Sequence, residues 1–588
     1  MANYKVIFRP ANKEIETDGT KTILELARSL DLEIKSLCGG MGQCRQCKVN
    51  IEGMGEVLAC QTRPDKDLKV NISVQEKQSA GKFASFNYLQ KISQIVPFTY
   101  KIYLELNPPS LDDNQDDLSR LKKHLLQKNI DVHISLKVLR KLSDVLRKSD
   151  WKATVTVATG RRDEIIEIEP GKIESNFGLA IDVGTTTVAV ALINLLSAEV
   201  IDVENGYNKQ VSFGEDVLSR IAYAQNGGLH ELNSKIIETL NELIKKLLAR
   251  NNINIKELTS AVVSGNTVML HLLLQVNPSY IRVEPYIPTA NHFPALQASE
   301  LGLAMDEYAK IYCVPGVSSY VGGDVVSDII ASDMHKKENL CLLIDLGTNG
   351  EIVLGNKDWM LSCSCSAGPA FEGVGIEKGM VAADGAIESV NIESQNLNFK
   401  TIGNGAPKGI CGSGMIDLLA VLFRERIIDR AGELNPQESR VTAEAGEKKF
   451  FITDQIWIKE NEIRNLIRSK AAVFSGCKTL LDSVEKNFSD VGEILVAGGL
   501  GNYLNIENAV AIGMLPDIDR SKFKFIGNSS LSGAHSILLS KEKRDESISV
   551  GKKVSYLELS ANSKFMDEFT SALFIPHTNL DLFPSLKK

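Results

Sequence analysis

The chain has 588 residues and a formal net charge of −8 at pH 7, so it is too long for one hydrophobic core and we expect about three or four domains. Its acidic balance, without a Lys/Arg cluster, argues against a nucleic-acid partner, and its longest apolar run, 268–276, is far shorter than the roughly 18 residues of a membrane span. No secretory signal is visible and ten cysteines are too sparse for a disulfide scaffold, so we expect a cytoplasmic protein with no membrane partner.

Two short strands and a helix are predicted at the N-terminus. The segments 4–8 (YKVIF) and 14–17 (EIET) predict strands around a turn. The segment 20–32 has apolar residues at 23, 24, 26, 27 and 30, the pattern of an amphipathic helix. A closing strand is predicted at 68–74 (LKVNISV).

Four cysteines lie in a glycine-rich loop between that helix and the closing strand. Cys38, Cys44, Cys47 and Cys60 have the spacing C-x5-C-x2-C-x12-C, with glycines at 39, 40, 42, 53 and 55. Two disulfide-bonded pairs do not need such a loop. Four thiolates around one inorganic centre do, because the backbone wraps tightly and turns N–H groups toward the sulfurs.

This order of elements resembles the plant-type and adrenodoxin-type 2Fe–2S ferredoxins, which have a β-grasp fold. The first three cysteines match the adrenodoxin-like spacing, whereas the gap to the fourth is shorter. The resemblance implies that residues 1–79 form a ferredoxin-like domain whose four cysteines bind a 2Fe–2S cluster. The alternative is a zinc site, although zinc ribbons usually present two C-x2-C knuckles and only one is present here.

The next two segments carry no recognisable chemistry. Residues 80–97 look helical and are predicted to be a linker. Residues 98–174 predict a small α+β domain, with a strand at 100–106, a helix within 112–130, a strand–helix pair at 132–149, and strands at 152–160 and 164–170. This domain is either a spacer or a dimerisation unit, or its Lys/Arg-rich helix docks an acidic redox partner.

Residues 175–588 contain the same motif twice. The segments GLAIDVGTTTVAVALI (178–193) and CLLIDLGTNGEIVLG (341–355) are each an apolar strand ending in Asp-x-Gly-Thr, a tight turn and a second strand. The turn can direct N–H and hydroxyl donors to a phosphate, and the aspartate can hold hydrated magnesium. Two copies indicate an internally duplicated fold with a nucleotide between its halves.

A third element, EILVAGGLGNYLN (493–505), is a buried strand that ends in a glycine pair. The three elements in this order resemble the phosphate-1, phosphate-2 and adenosine motifs of the ASKHA superfamily, which includes sugar kinases, heat-shock chaperones and actin. The resemblance implies that residues 175–588 form an ASKHA ATPase domain with ATP and Mg²⁺ as ligands, and that Asp182 and Asp345 organise magnesium. It further implies that phosphates are held by Gly184, Thr185, Thr186, Gly347, Thr348 and Asn349, that Gly498 and Gly499 flank the adenosine, and that Gly412 opens the connecting helix 412–423.

Three further stretches, 262–274, 314–330 and 364–376, combine small residues with a following helix and could line the cleft. Asp324 and Glu372 are candidates for acid/base or water-orienting roles, and a helix cap is the alternative for each. Cys363 and Cys365 have the spacing of one strand face and could share a second metal, although free cysteine is also a common buried residue.

A 2Fe–2S ferredoxin module joined to an ASKHA ATPase resembles one family closely, the reductive activators of corrinoid-dependent enzymes. The resemblance covers nearly the whole chain through CGGMGQCRQC, LACQTR, IDVGTTTVAVAL, SFGEDVLSRIAYAQ (212–225), SGNTVMLHLL, LLIDLGTNGEI, SAGPAFEG and GICGSGMIDLL. Some members carry C-terminal 4Fe–4S clusters bound by C-x2-C-x2-C-x3-C runs. None occurs here, so the chain resembles the 2Fe–2S branch.

The family resemblance implies ATP-dependent reduction of an inactive cobalt(II) corrinoid to cobalt(I). It also implies a corrinoid protein or corrinoid methyltransferase as partner, an upstream low-potential electron donor, and a homodimer. Two alternatives remain open: an ATP-driven electron donor of the 2-hydroxyacyl-CoA dehydratase activator type, and an ASKHA kinase with a redox-sensing ferredoxin domain.

Overall fold

The computed structural model describes residues 4–30, 32, 34, 40, 47–72, 92 and 94–587, except 374, 394, 395, 445 and 500–503. The predicted linker helix (80–97) therefore lies largely outside the described residues, as do Cys38 and Cys44. In the part of the chain that is described, no helix is both long and apolar enough to cross a membrane.

The N-terminal region is a five-stranded mixed sheet with one helix packed on it. Its strands are β1 (Tyr4–Arg9), β2 (Lys13–Thr17), β3 (Lys48–Ile51), β4 (Gly55–Leu58) and β5 (Leu68–Asn71), and its helix is α1 (Ile23–Ser29). The sheet order is β2-β1-β5-β3-β4, with β1 and β5 parallel. Thr22 and Glu25 form a capping box at the start of α1. The predicted strand pair and helix are present, and β3 and β4 form an additional hairpin within the cysteine loop.

The second region is a four-stranded sheet covered by two helices. Its elements are β6 (Thr99–Glu105), α2 (Asp117–Gln127), β7 (Val132–Ile134), α3 (Leu136–Lys148), β8 (Lys152–Ala158) and β9 (Asp163–Pro170). The sheet order is β6-β8-β9-β7. Asp116 and Ser135 cap the two helices, as expected for short polar side chains before an apolar stripe.

The remaining chain contains two six-stranded sheets of matching design. The first half comprises β10 (Phe177–Val183), β11 (Thr187–Asn194), β12 (Val200–Tyr207), α4 (Val217–Tyr223), α5 (Leu229–Asn251), β13 (Leu258–Gly265), α6 (Thr267–Leu273), β14 (Leu296–Gln297), α7 (Ala298–Leu301), β15 (Lys310–Cys313) and α8 (Gly323–Ser332). Its sheet order is β12-β11-β10-β13-β15-β14.

The second half repeats this arrangement with insertions. It comprises β16 (Cys341–Leu346), β17 (Gly350–Gly355), β18 (Met360–Cys365), β19 (Ala386–Glu393), β20 (Asn396–Thr401), β21 (Gly409–Ile410), α9 (Gly412–Arg424), β22 (Val441–Glu444), β23 (Glu447–Phe451), β24 (Trp457–Lys459), α10 (Glu460–Ser483), β25 (Glu493–Ala497), α11 (Ile506–Ala511), β26 (Phe523–Gly527), α12 (Ser529–Leu539), α13 (Lys541–Lys553), β27 (Val554–Tyr556) and α14 (Ser563–Ala572). Its sheet order is β26-β25-β16-β17-β18-β27, and two three-stranded sheets, β20-β19-β21 and β22-β23-β24, are inserted.

The duplication is visible in strand direction as well as order. In each half, a three-stranded antiparallel meander (β10-β11-β12 or β16-β17-β18) is extended on its first strand by two parallel strands (β13 and β15, or β25 and β26). The repeat predicted from two Asp-x-Gly-Thr segments therefore extends to whole sheets.

Helices α8 and α12 pack against each other in a core shared by the two sheets. Val326 of α8 and Ile537 of α12 are fully buried with Ala180 of the first sheet and Leu343 of the second. The helices approach closely because a Cβ at Gly533 would lie only 2.1 Å from the Ser327 carbonyl oxygen. The N-termini of both helices point to the cleft between the two halves.

Candidate functional site

The two Asp-x-Gly-Thr turns face each other across a cleft. The first turn joins β10 to β11 and the second joins β16 to β17, so the folding of each half places its turn at the same edge of its sheet. The hydroxyls of Thr186 and Thr348 are hydrogen-bonded at 2.8 Å. Thr348 also donates to both oxygens of Glu372, at 2.9 and 3.0 Å, and therefore accepts from Thr186.

Side chains on the far side of the first Asp-x-Gly-Thr turn from the cleft donate hydrogen bonds to its carbonyl groups. Asn208 donates its side-chain amide to the Gly184 carbonyl and its backbone N–H to the Thr186 carbonyl, both at 2.9 Å. Arg220 donates Nη2 to the Thr185 carbonyl at 2.6 Å. Because the N–H of a trans peptide points opposite to its carbonyl, the N–H groups of residues 185–187 turn toward the cleft. Such a row of N–H donors suits phosphate oxygens.

Arg220 was missed by the motif analysis, although it lies in the marked stretch 212–225. It belongs to α4 and is fully buried, and burial lowers its pKa to about 9, so the guanidinium stays charged at neutral pH. Its Nε donates to the Gly214 carbonyl at 2.9 Å, and its Nη1 to the Gln210 side chain at 3.2 Å. A single arginine in an amphipathic segment carries no sequence signal for this role.

Glycines open the cleft where a side chain would close it. Gly498, after β25, has a φ of +92°. A Cβ there would lie 2.4 Å from the Leu346 carbonyl oxygen and 2.9 Å from Asp345 Oδ1, so the third predicted element sits directly against the second motif. Gly499 and Gly347 line the same cleft, which agrees with a ligand that approaches the backbone closely.

The four predicted carboxylates converge on this cleft. Asp182 accepts from Asn528 Nδ2 at 2.9 Å and from Ser530 Oγ at 2.8 Å. Burial raises the pKa of Asp324 to about 7, helped by repulsion from Asp182. Burial also raises the pKa of Asp345 to about 7, together with repulsion from Asp324 and Asp182. The pKa of Glu372 is also raised by burial, although the Thr186 and Thr348 hydroxyls oppose the change.

Two further carboxyl groups lie in the cleft that sequence reasoning missed. Asp328, on α8, is fully buried and accepts from Ser529 Oγ at 2.6 Å. Glu351, on β17, accepts from Asn266 Nδ2 at 3.3 Å. Burial raises the pKa of both groups well above the ordinary value, with repulsion from Asp345 contributing in each case. Asp328 lies in the marked stretch 314–330 and Glu351 in the second motif segment, 341–355, but no local signal distinguished either side chain from its neighbours.

Helix N-termini complete the lining. Asp324 lies in the first turn of α8, whose N-cap is Gly322, so it is not the helix cap that was the alternative reading. Gly412 opens α9 as predicted, and the preceding Cys411 makes no side-chain cap. The N-cap residues of α8 and α9 make no side-chain cap, and the positive ends of both helices face the cleft, an arrangement that favours anions. In α8 the Val325 N–H donates to Asp324 Oδ1 at 2.8 Å.

This donor set fits a magnesium-bound nucleotide. The N–H groups and helix ends suit phosphates, and a concentration of buried carboxyl oxygens suits a hard divalent cation. Among the described residues, no three His, Cys, Asp or Glu side chains converge closely enough to hold a metal ion by themselves. Phosphate oxygens and water would complete the coordination of a magnesium ion bound here, as is usual for this ion.

The two described cysteines of the N-terminal loop lie together. Cys47 Sγ and Cys60 Sγ are 3.1 Å apart, and both residues are buried. They lie beside α1, where the Leu24 N–H donates to the Ala59 carbonyl at 3.0 Å. Two converging thiols on a β-grasp sheet fit a thiolate-bound cluster. Cys38 and Cys44, predicted to complete the ligand set, lie outside the described residues.

The Cys363/Cys365 pair does not form a comparable site. Both side chains lie in the hydrophobic core of the second half together with Cys477, and all three are at most 2% exposed. Burial raises the pKa of each of these thiols, which disfavours the thiolate that binds metal. These cysteines behave as small core residues.

Comparison with known protein families covers nearly the whole chain. Residues 7–65 match the 2Fe–2S iron–sulfur cluster binding domain. Residues 89–175, 177–337 and 339–587 match, in turn, the RACo linker region, the RACo middle region, and the C-terminal domain of RACo, the ASKHA domain. The chain belongs to the RACo family of corrinoid reductive activators. The 2Fe–2S match also decides between the cluster and the zinc alternative.

Two similar proteins align with this chain along nearly their full length, and a third aligns over part of it. The chain is 31% identical to the corrinoid activation enzyme RamQ of Eubacterium limosum, over 96% of this chain and 98% of that protein. It is 40% identical to a solved structure described as a reductive activator for corrinoid, iron–sulfur protein, over 99% and 100% of the two chains, with a TM-score of 0.81. A [Co(II) methylated amine-specific corrinoid protein] reductase of Methanosarcina barkeri is 24% identical over 64% of this chain and 73% of that protein.

Proposed function

We propose that this protein uses ATP to drive one electron from its 2Fe–2S cluster onto the cobalt(II) corrinoid of a partner protein, returning it to cobalt(I). One observation carries the proposal: a single chain of this family contains both a pair of converging thiols and a cleft between two Asp-x-Gly-Thr turns. The thiols are those of Cys47 and Cys60, and the turns meet through Thr186 and Thr348. The electron comes from an external low-potential one-electron donor. The partner is a corrinoid protein or a corrinoid methyltransferase.

The energetic need for ATP follows from redox arithmetic. A donor that falls ~200 mV short for one electron faces an unfavourable step of roughly 4–5 kcal/mol. Nucleotide can offset this only through differential binding to two states of the protein or complex. A cleft whose two walls belong to separate six-stranded sheets is suited to exist in an open and a closed state.

The residues of the cleft have separate roles in this proposal. The turns at 184–186 and 347–349 bind phosphates, while Asp182 and Asp345 orient hydrated magnesium. Gly498 and Gly499 flank the adenosine. Glu372 and Asp324 are assigned to orient the attacking water, an assignment supported by the position of both residues in the lining of the cleft. When bound, the cluster supplies a one-electron carrier, and Cys38, Cys44, Cys47 and Cys60 hold it.

Two further assignments belong to the proposal. The protein acts in the cytoplasm, and it acts as a homodimer. Analytical ultracentrifugation of the cluster-loaded protein tests the oligomeric state, since a monomer at micromolar concentration contradicts it.

An anaerobic reduction assay tests the function. Cluster-loaded protein, a low-potential reductant and oxidised corrinoid proteins of the same organism are mixed, and the cobalt(II) to cobalt(I) absorbance change is followed with and without Mg-ATP. We expect an ATP-dependent increase that is lost in Cys47→Ser and in Asp345→Ala. The matched controls are Cys313→Ala, a buried cysteine outside the cluster loop, and Asp358→Ala, on an exposed turn. No reduction by protein with an intact cluster and ATPase activity refutes the proposal and favours the dehydratase-activator or kinase alternatives.

A further inference from the structure

Among the described residues, Arg28 of α1 joins the cluster-binding region (within 1–79) to the ATPase region (175–588). Arg28 donates Nη2 to the Ser212 carbonyl at 2.7 Å. Its guanidinium carbon lies 4.4 Å from the centre of the Phe213 ring and 5.4 Å from that of Tyr223. A planar cation that both stacks on aromatic rings and donates to a carbonyl makes a specific contact. Arg28 is also one helical turn from Leu24, which contacts the cluster loop.

The segment 212–214, which includes Ser212 and Phe213, also contacts Arg220. Gly214, two residues after Ser212, accepts from Arg220 Nε at 2.9 Å. A Cβ at Gly214 would lie 2.9 Å from the Arg220 backbone nitrogen, so the segment packs directly on the start of α4. Within three residues, 212–214, the chain therefore contacts the cluster-binding region on one side and Arg220 on the other.

Arg220 in turn sets the orientation of a peptide in the phosphate-binding turn. Its bond to the Thr185 carbonyl at 2.6 Å fixes that peptide plane, and the planar trans geometry then fixes the direction of the Thr186 N–H. A displacement of segment 212–214 changes the position of Arg220 and with it the orientation of this N–H.

We propose that Arg28 is a positioning residue that couples docking of the cluster-binding region to nucleotide binding, through segment 212–214, Arg220 and the Thr185 carbonyl. The docked state presents the Thr186 N–H to phosphate and binds nucleotide more tightly. By thermodynamic reciprocity, nucleotide strengthens docking by the same factor. The inference rests on the proposed function only in assuming that the cleft binds nucleotide.

The test measures nucleotide binding and docking without any corrinoid protein. The dissociation constant of a non-hydrolysable ATP analogue with Mg²⁺ is determined by calorimetry for cluster-loaded, full-length wild type, Arg28→Ala and Arg28→Lys. Arg9→Ala is the matched control, since Arg9 lies in the same domain and pairs with Glu52 on an exposed surface. Hydrogen exchange of the amides of 23–29 and 212–223, with and without the analogue, reports docking. Visible absorbance confirms the cluster in every variant.

We expect Arg28→Ala to raise the dissociation constant by about fivefold or more, the lower range of typical coupling, with Arg28→Lys between it and wild type. The analogue should protect residues 23–29 from exchange in wild type and in Arg9→Ala, but not in Arg28→Ala. If Arg28→Ala loses its cluster, Arg28→Lys carries the comparison.

Other results overturn the inference. Equal dissociation constants for wild type, Arg28→Ala and Arg9→Ala exclude the coupling while leaving the proposed function intact. A wild-type protein that binds no nucleotide overturns both. A wild type that shows the coupling but does not reduce corrinoid proteins overturns only the proposed function.

Discussion

At the scale of single residues, the cleft depends on positions where no side chain fits. Gly498 combines a left-handed backbone with close contacts to Leu346 and Asp345. A side chain here meets two separate penalties, conformational strain and overlap with backbone. The overlap falls on the loop that carries the second Asp-x-Gly-Thr motif, so a side chain here should weaken nucleotide binding as well as lower stability.

We predict that Gly498→Ala destabilises the fold by about 1–3 kcal/mol and weakens nucleotide binding by about tenfold, which corresponds to about 1.4 kcal/mol. Gly302→Ala is the control, because Gly302 has a φ of +69° but open space around its Cβ position. The control should show strain of about 1–2 kcal/mol and unchanged nucleotide affinity. Urea unfolding and calorimetry measure both quantities, and equal affinities for the two variants contradict the prediction.

Asp345 should give the ligand-free protein a distinctive pH dependence. Burial and neighbouring carboxylates raise its pKa to about 7 in the folded state, against an ordinary value of 3.8. Between these values the folded protein binds more protons at this site than the unfolded chain, so this contribution to stability falls as pH rises.

We predict that the Tm of wild type, relative to Asp345→Asn, decreases as pH rises from about 4 to about 7 in the absence of metal and nucleotide. Asp358→Asn, on an exposed turn, controls for the loss of one negative charge. Differential scanning fluorimetry across this range measures the effect. A difference that does not change with pH, or that increases, is inconsistent with the raised pKa.

At the scale of secondary-structure elements, the crossing of α8 and α12 joins the two halves. Both helices start at the cleft, and Ser530 at the start of α12 links them through Ser264, which bonds Ser530 at 2.9 Å and Ser327 at 2.8 Å. The close approach at Gly533 allows this serine network to form. Intrinsic helix propensity favours alanine over glycine here, whereas packing forbids it.

We predict that Gly533→Ala destabilises the protein by about 1–3 kcal/mol, because the added methyl group overlaps the Ser327 carbonyl. Propensity alone predicts the opposite sign, a gain of about 1 kcal/mol. Gly551→Ala in α13 is the comparison, since its Cβ would lie 3.2 Å from the Gly316 carbonyl oxygen, a tight contact but far less severe than the 2.1 Å at Gly533. Denaturant unfolding decides the sign, and stabilisation by Gly533→Ala shows that the crossing can relax.

At the scale of the whole molecule, α12 connects the cleft to the segment that leads from the cluster-binding region. Its N-terminus donates to Asp182 through Ser530. Near its C-terminus, the carbonyls of Leu538 and Leu539 accept from the N–H groups of Phe98 and Val96, at 2.8 and 2.9 Å. Movement of α12 would therefore displace residues 96–98, where the chain enters the four-stranded second region. This connection is separate from the contact made by Arg28.

Because the cleft takes residues from both sheets, nucleotide should stabilise the ATPase region as one unit. At about 100 times the dissociation constant, we expect Mg²⁺ and the ATP analogue to add about 2.7 kcal/mol to the free energy of unfolding. Tryptophan fluorescence reports on this region, since Trp359 and Trp457 lie in it, Trp151 lies in the preceding four-stranded region, and the cluster-binding domain has no tryptophan. Removing Mg²⁺ with EDTA should abolish most of the gain. A full gain without metal contradicts the assigned role of the carboxylates.

The features that the sequence determined by itself are those encoded locally. An apolar strand, Asp-x-Gly-Thr and a second strand specify a hairpin because strand periodicity and turn chemistry act over a few residues. The spacing of Cys47 and Cys60 predicted that their thiols converge, and the described pair does. The β3–β4 hairpin was missed because strands of four residues are too short to show a clear period.

Tertiary structure alone decided which distant side chains support the site. Arg220 reaches a carbonyl 35 residues earlier in the chain, and Asn528 reaches Asp182 across 346 residues. Asp328 joins the cleft because α8 packs on β13, where Ser264 bonds Ser327 at 2.8 Å. Cys363 belongs to the core because its face of β18 turns inward. Such contacts depend on the packing of sheets and helices from both halves, and no short segment contains the information that sets this packing.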